Sequence, residues 1–187
     1  MAAHLPTAVG RELFDGQGTL SPSLMSTAQP LVDGNGDPRV LSATGGMVQL
    51  ARNASQSDVP GNKLYSLSDY VISMPSFAAD AVSGLRFDAD RGEYVNKAGL
   101  AVWFPEGHPN MSPYADPNDF TSATPAGDGQ AWAFIHPRPF AAVGPVETIT
   151  ADELLGNVRA ARAVQRYIVV FKPCRIYAAL IDINKSC

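Results

Sequence analysis

Proline and glycine stand at 15 and 16 of the 187 positions, and this dense punctuation is the strongest single limit on what the chain can form. Each proline fixes its own backbone angle and removes a hydrogen-bond donor, while each glycine eases the chain into turns. The windows left between these breakers are short. Several of them alternate apolar and polar residues as half-buried strands do, so a β-rich fold is expected.

Residues 1–45 are broken throughout, from Pro6 to Gly45, and predict an extended N-terminal arm. Leu13, Phe14, Leu20, Leu24 and Met25 recur along it, whereas a solubilising disordered tail is poor in such residues. The arm therefore needs a surface to lie on, either its own body or a neighbouring subunit.

Residues 46–187 predict a single β-rich domain. Strands are expected at 47–52, 64–67, 70–74, 100–104, 131–135 and 146–149, with a hairpin pairing 85–88 and 94–96 and closing strands at 167–171 and 175–183. Pro75 and Gly84 bracket a short helix over 76–83. Thr150 and Glu153 form a capping box before Leu154, Leu155, Val158 and Ala161, which predicts the principal helix over 151–165. The stretch 105–130 holds five prolines and three glycines and reads as a long binding or interface loop. The fold class expected is α+β, mainly β: an antiparallel or mixed sandwich or barrel-like body with one principal helix in its C-terminal half.

A net charge of −4 and a pI near 5.2 argue against a nucleic-acid partner, which requires clustered cations. Arg159, Arg162 and Arg166 would share one helix face as a salt-bridge surface. The apolar runs are too short for a membrane helix, and MAAHLPTAVG lacks the charge and apolar stretch of a signal peptide. A chain made in the host cytoplasm, without a membrane partner, is the reading.

No complete catalytic, cofactor or metal motif occurs. Asp33, Asn35 and Asp37 alternate as calcium ligands do, but Pro38 stands where a calcium loop needs glycine and Thr44 where it needs glutamate, so a turn is the better reading. Asp88, Asp90 and Glu93 fall at a hairpin tip. His108 and His136 would need to meet in space, with Asp116, Asp119 or Asp128, to make the acid–base pair of a small hydrolase or lyase. Trp103 and Trp132 suit a sheet core, or, if exposed, a carbohydrate or small-ligand module. With two cysteines there is no disulfide framework; Cys174 reads as buried, and Cys187 as a candidate for an intersubunit disulfide.

In organisation, though not in any motif, the chain resembles structural subunits of viruses and tailed-phage virions: an anchor-studded arm, a β-rich body, a long Pro/Gly loop and low charge. This implies a non-enzymatic assembly protein of a capsid, decoration, neck or tail, with copies of itself and other structural subunits as partners. The contact candidates are Leu13, Phe14, Leu20, Leu24 and Met25 in the arm and Met111, Tyr114 and Phe120 in the loop. On this view, removing residues 1–40 leaves a folded body that no longer oligomerises.

Overall fold

Eight short strands join into one mixed sheet in the computed structural model, which describes residues 14, 23–56, 66–116, 118–138, 175–184 and the backbone of 140–152 and 159–170. They are β1 (Gln29–Pro30), β2 (Val40–Ser42), β3 (Tyr70–Ser73), β4 (Arg86–Asp88), β5 (Glu93–Val95), β6 (Ala101–Trp103), β7 (Gln130–Pro137) and β10 (Tyr177–Asp182). Their order is β1-β10-β7-β3-β6-β5-β4, and β2 pairs with β10 as well. β1 and β2 run parallel to β10 at successive registers, Gln29 opposite Tyr177 and Val40 opposite Leu180, so together they form one interrupted edge.

The central strands are buried on both faces. Alternate residues Tyr70, Ile72, Val102, Ala131, Ala133, Ile135, Ala179 and Ile181 face one core; Val71, Ala101, Trp103, Trp132, Phe134, Ala178 and Leu180 face the other. Side chains that change face at every step produce the nearly unbroken apolar runs seen in the sequence.

Helix α2 (Gly45–Ser55), which follows the single-turn α1 (Leu24–Thr27), covers the first face. Its buried residues Met47, Val48, Leu50, Ala51 and Ala54 repeat at helical spacing. The strand expected over 47–52 is therefore corrected to a helix: within six residues the pattern mimics alternation, and only Ala54 completes the turn. Gly46 permits the sharp entry from β2, since a Cβ there would come within 2.8 Å of the Leu41 Cβ. The Ser42 hydroxyl accepts from the Gly46 N–H, and Arg175 donates to the carbonyls of Asn53 and Gln56 at the other end.

Phe14, α1 and the 105–128 loop cover the second face. Phe14, Leu24 and Met25 are wholly enclosed there, with Met111 and Tyr114 packed against them, and the Tyr114 N–H donates to the Met25 carbonyl at 2.9 Å. The described anchors of the arm thus lie on their own chain. Removing residues 1–40 takes away these anchors and β1, so the expectation of an intact body after that deletion is withdrawn.

Two long strands, β8 (Phe140–Asp152) and β9 (Arg159–Val170), form a separate two-stranded ribbon between β7 and β10. The register runs from Phe140 opposite Val170 to Asp152 opposite Arg159, with an irregularity between Val143 and Val146. This corrects the helix expected over 151–165: Ala151 and Asp152 end one strand, 159–165 begin the other, and 153–158 lie outside the described residues. Cross-strand pairing overrides the local capping and spacing signals, and no common helix face exists for Arg159, Arg162 and Arg166. The short 76–83 helix is present as a 3-10 helix over Ser76–Ala81, and the β4–β5 hairpin lies where it was expected. The fold is mainly β around a mixed sheet.

Candidate functional site

The run Tyr70–Ser73 is apolar except for its last residue, and β7 is apolar except for its ends and His136. Both exceptions point into the arm-side core, where Ser73 and His136 are 0 % exposed. Ser73 Oγ and His136 Nε2 are 2.7 Å apart, and His136 Nδ1 lies 2.8 Å from the Pro137 carbonyl oxygen. A carbonyl only accepts, so Nδ1 carries the proton, and Nε2 accepts from the Ser73 hydroxyl. Burial pushes the His136 pKa down to about 4, with the Arg138 charge adding to the effect and the Pro137 bond opposing it.

His108 lies on the same side. Its ring meets Phe14 edge-on at 4.8 Å between centroids and Phe134 at 5.6 Å. Nδ1 accepts from the Asn110 N–H at 3.0 Å, while Nε2 is enclosed without a hydrogen-bond partner. Burial lowers its pKa to about 3; the Ser73 backbone, outside hydrogen-bonding geometry, favours the charged form, and His136 disfavours it. The two histidines expected to meet in space are thus close enough to influence one another. The loop carboxylates do not join them through any direct bond: Asp116 accepts from the Asn118 N–H and Asp119 from Thr121, both as exposed local turns. Asp119 is held below the usual carboxylate range by the Thr121 hydroxyl and N–H.

Beside this pair lies a charged cluster built on Glu93, which the sequence placed with Asp88 and Asp90 at a hairpin tip and which instead opens β5 and is buried. Glu93 is 4 % exposed and receives both guanidinium nitrogens of Arg138, at 2.8 and 2.6 Å, with the Trp103 indole N–H at 3.0 Å. Burial would raise the Glu93 pKa, but the Arg138 and Trp103 bonds outweigh it and hold the carboxylate below its ordinary value. Arg138 also donates through Nε to the Ser68 carbonyl and through its backbone to Asp69. Because it sits between β7 and β8, this clamp fastens one root of the ribbon; Arg175, bonded to the end of α2, stands between β9 and β10.

Chemically, a hydroxyl donating to a fixed imidazole is the arrangement that activates a serine, yet Ser73 is closed off beneath Trp103, Phe134 and the arm-side layer. Trp103 and Trp132 are 5 % and 1 % exposed and present no open platform. Asp33 Oδ1 accepts from the N–H groups of Asn35 and Asp37, which makes that loop an Asx turn. Asp88 does the same for Asp90 and Arg91 at the hairpin tip. Among the described residues, no group of three or more His, Cys, Asp or Glu is placed to hold a metal ion, and no helix is long and apolar enough to cross a membrane.

Of the contact candidates, Phe14, Leu24 and Met25 are spent inside their own chain, Met111 and Tyr114 are partly covered, and Phe120 is 67 % exposed. Leu13, Leu20 and Cys187, with Cys174, lie outside the described residues. Comparison with protein families, curated proteins and solved structures finds no match to this chain.

Proposed function

We propose that the protein is a non-enzymatic assembly subunit, a virion component by its organisation, that oligomerises through the β8–β9 ribbon. The observation that supports this is the ribbon's pairing: strands of 13 and 12 residues that bond only to each other among the described residues. A typical strand has about 5–6 residues, and a lone two-stranded ribbon is marginal in water. At about 3.3 Å per residue each strand reaches about 40 Å, with an open backbone edge on either side. A neighbouring copy that adds a strand or covers the ribbon supplies what it lacks. Exposed Phe120 and the ribbon are then the surfaces that support this reading, Phe14, Leu24 and Met25 being packed against their own chain.

The test replaces residues 140–170 with a short Gly/Asn turn between Arg138 and Arg175. The expected result is a folded monomer where the full chain is an oligomer by light scattering. The same number of subunits in both proteins removes the reading.

A second reading, a hydrolase, is favoured only by the Ser73–His136 bond. A fluorophosphonate probe tests it: covalent labelling at Ser73 supports it, and an unlabelled protein counts against it.

A further inference from the structure

We propose that His108 is an acid-sensitive fastener whose protonation detaches the layer of Phe14, α1 and the 105–126 loop while the α2 side of the sheet stays folded. The argument begins with the ring's surroundings. Phe14 and Phe134 take both contacts of the ring, Nε2 is enclosed without an acceptor, and Nδ1 accepts from the Asn110 N–H. For the charged ring the Ser73 backbone is the one group that favours it, and it stands outside hydrogen-bonding geometry. A second proton also turns Nδ1 into a donor facing another donor, so the Asn110 bond is lost.

Asn110 is where the loop is tied down. Its side-chain oxygen accepts from the Trp132 N–H of β7 at 2.9 Å, its carbonyl accepts from Ala126 at 3.3 Å, and its backbone holds a positive φ of 48°. Keeping a non-glycine residue in that region has a cost that those bonds offset. Loss of the His108 contact removes one of three supports.

The charged groups around the ring do not rescue the cation. From β7 it faces His136, which carries the influence of Arg138; from β3, the Ser73 backbone alone favours charge. Glu93 of β5 is engaged by Arg138 and Trp103, and Glu106 in the loop is exposed to solvent and holds an interaction of its own. Phe14, Leu24 and Met25 of the arm are apolar. The depressed pKa of His108 agrees with this geometry. Among the described residues the most deeply buried acidic and basic side chains are Glu93 and His136, bonded to Trp103 and Ser73 of the arm-side face, whereas beneath α2 the Tyr70 hydroxyl donates to the Ala54 carbonyl. Local opening of one layer ahead of the rest is the expected outcome.

Both tryptophans of the chain lie in the arm-side core, so their emission reports on this layer. Titration from pH 7.5 to 3 is expected to shift emission to the red and admit iodide at a higher pH than that at which far-UV circular dichroism is lost. His108→Gln keeps an acceptor for Asn110 but does not titrate, and should move the emission midpoint down by about one pH unit or more. Coincident emission and dichroism transitions, or an unmoved midpoint in the variant, overturn the proposal. Should the variant fail to fold, amide exchange in the unaltered protein decides: Asn110 and Trp132 must lose protection at a higher pH than α2, and simultaneous loss refutes the fastener.

Discussion

Ser73 and His136 meet diagonally across the β3–β7 ladder, Oγ to Nε2 at 2.7 Å, where the direct cross-strand partners are Phe134 and Val71. The bond closes a chain from hydroxyl to imidazole to the Pro137 carbonyl, with both side chains 0 % exposed.

Ser73→Ala should therefore cost about 1–3 kcal/mol, the penalty of leaving a buried acceptor without its donor. Replacing both residues, as Ser73→Ala with His136→Leu, should be less costly than that single change plus the loss of His136 alone. Urea unfolding of the three variants measures the coupling directly; strict additivity would mean that the bond contributes nothing.

Arg138→Ala strands the enclosed Glu93 carboxylate with the Trp103 indole as its remaining named donor. A loss of about 2 kcal/mol is expected, discounted because Arg138 itself is partly exposed. Arg138→Lys should recover only part of it, since one ammonium cannot satisfy both carboxylate oxygens as the guanidinium does. Thermal unfolding of both variants checks the order.

Phe14→Ala should destabilise by about 3–5 kcal/mol, as expected for emptying an enclosed aromatic site. The same substitution should shift tryptophan emission to the red at neutral pH. A neutral effect on both would show that the arm does not anchor on this face.

Stability should be nearly level above pH 6.5 and fall below it. The folded histidines stay neutral until about pH 4 and 3, whereas in the unfolded chain they protonate near 6.5, so acid favours unfolding. With two protons taken up, the slope approaches about 2.7 kcal/mol per pH unit. Glu93 adds to the loss, its lowered pKa giving stability that is present above the ordinary carboxylate value and disappears below it. Denaturant midpoints at pH 7.5, 5.5 and 4.5 test the sign; a rising midpoint on acidification would refute it.

The sequence made the β4–β5 hairpin, β3, β6, β7 and the long loop legible because alternation and turn residues there act over a few neighbours. It misplaced α2 because Met47 to Arg52 satisfies two periods at once; it found 146–149 and 167–170 as strands, inside β8 and β9, but set a helix over 151–165 because Ala-rich sequence with a capping box is locally helical. Ser73 and Glu93 were hidden for a different reason. Each is a polar residue in or beside an apolar run, and only the fold brings it to a partner 63 or 45 residues away.

The pairing of β1 with β10 sets a schedule for synthesis. Gln29 and Tyr177 are joined in one ladder although roughly 150 residues separate them, and at about 5–20 residues per second that interval is roughly 8–30 s of translation. Through that time β1 and β2 lack their partner strand β10, and the residues of β10 that close the core around Leu24 and Met25 do not yet exist. The nascent chain must keep its earliest anchors from straying to other chains until its latest strand arrives, so its yield in the cell should depend on chaperone supply as well as on final stability.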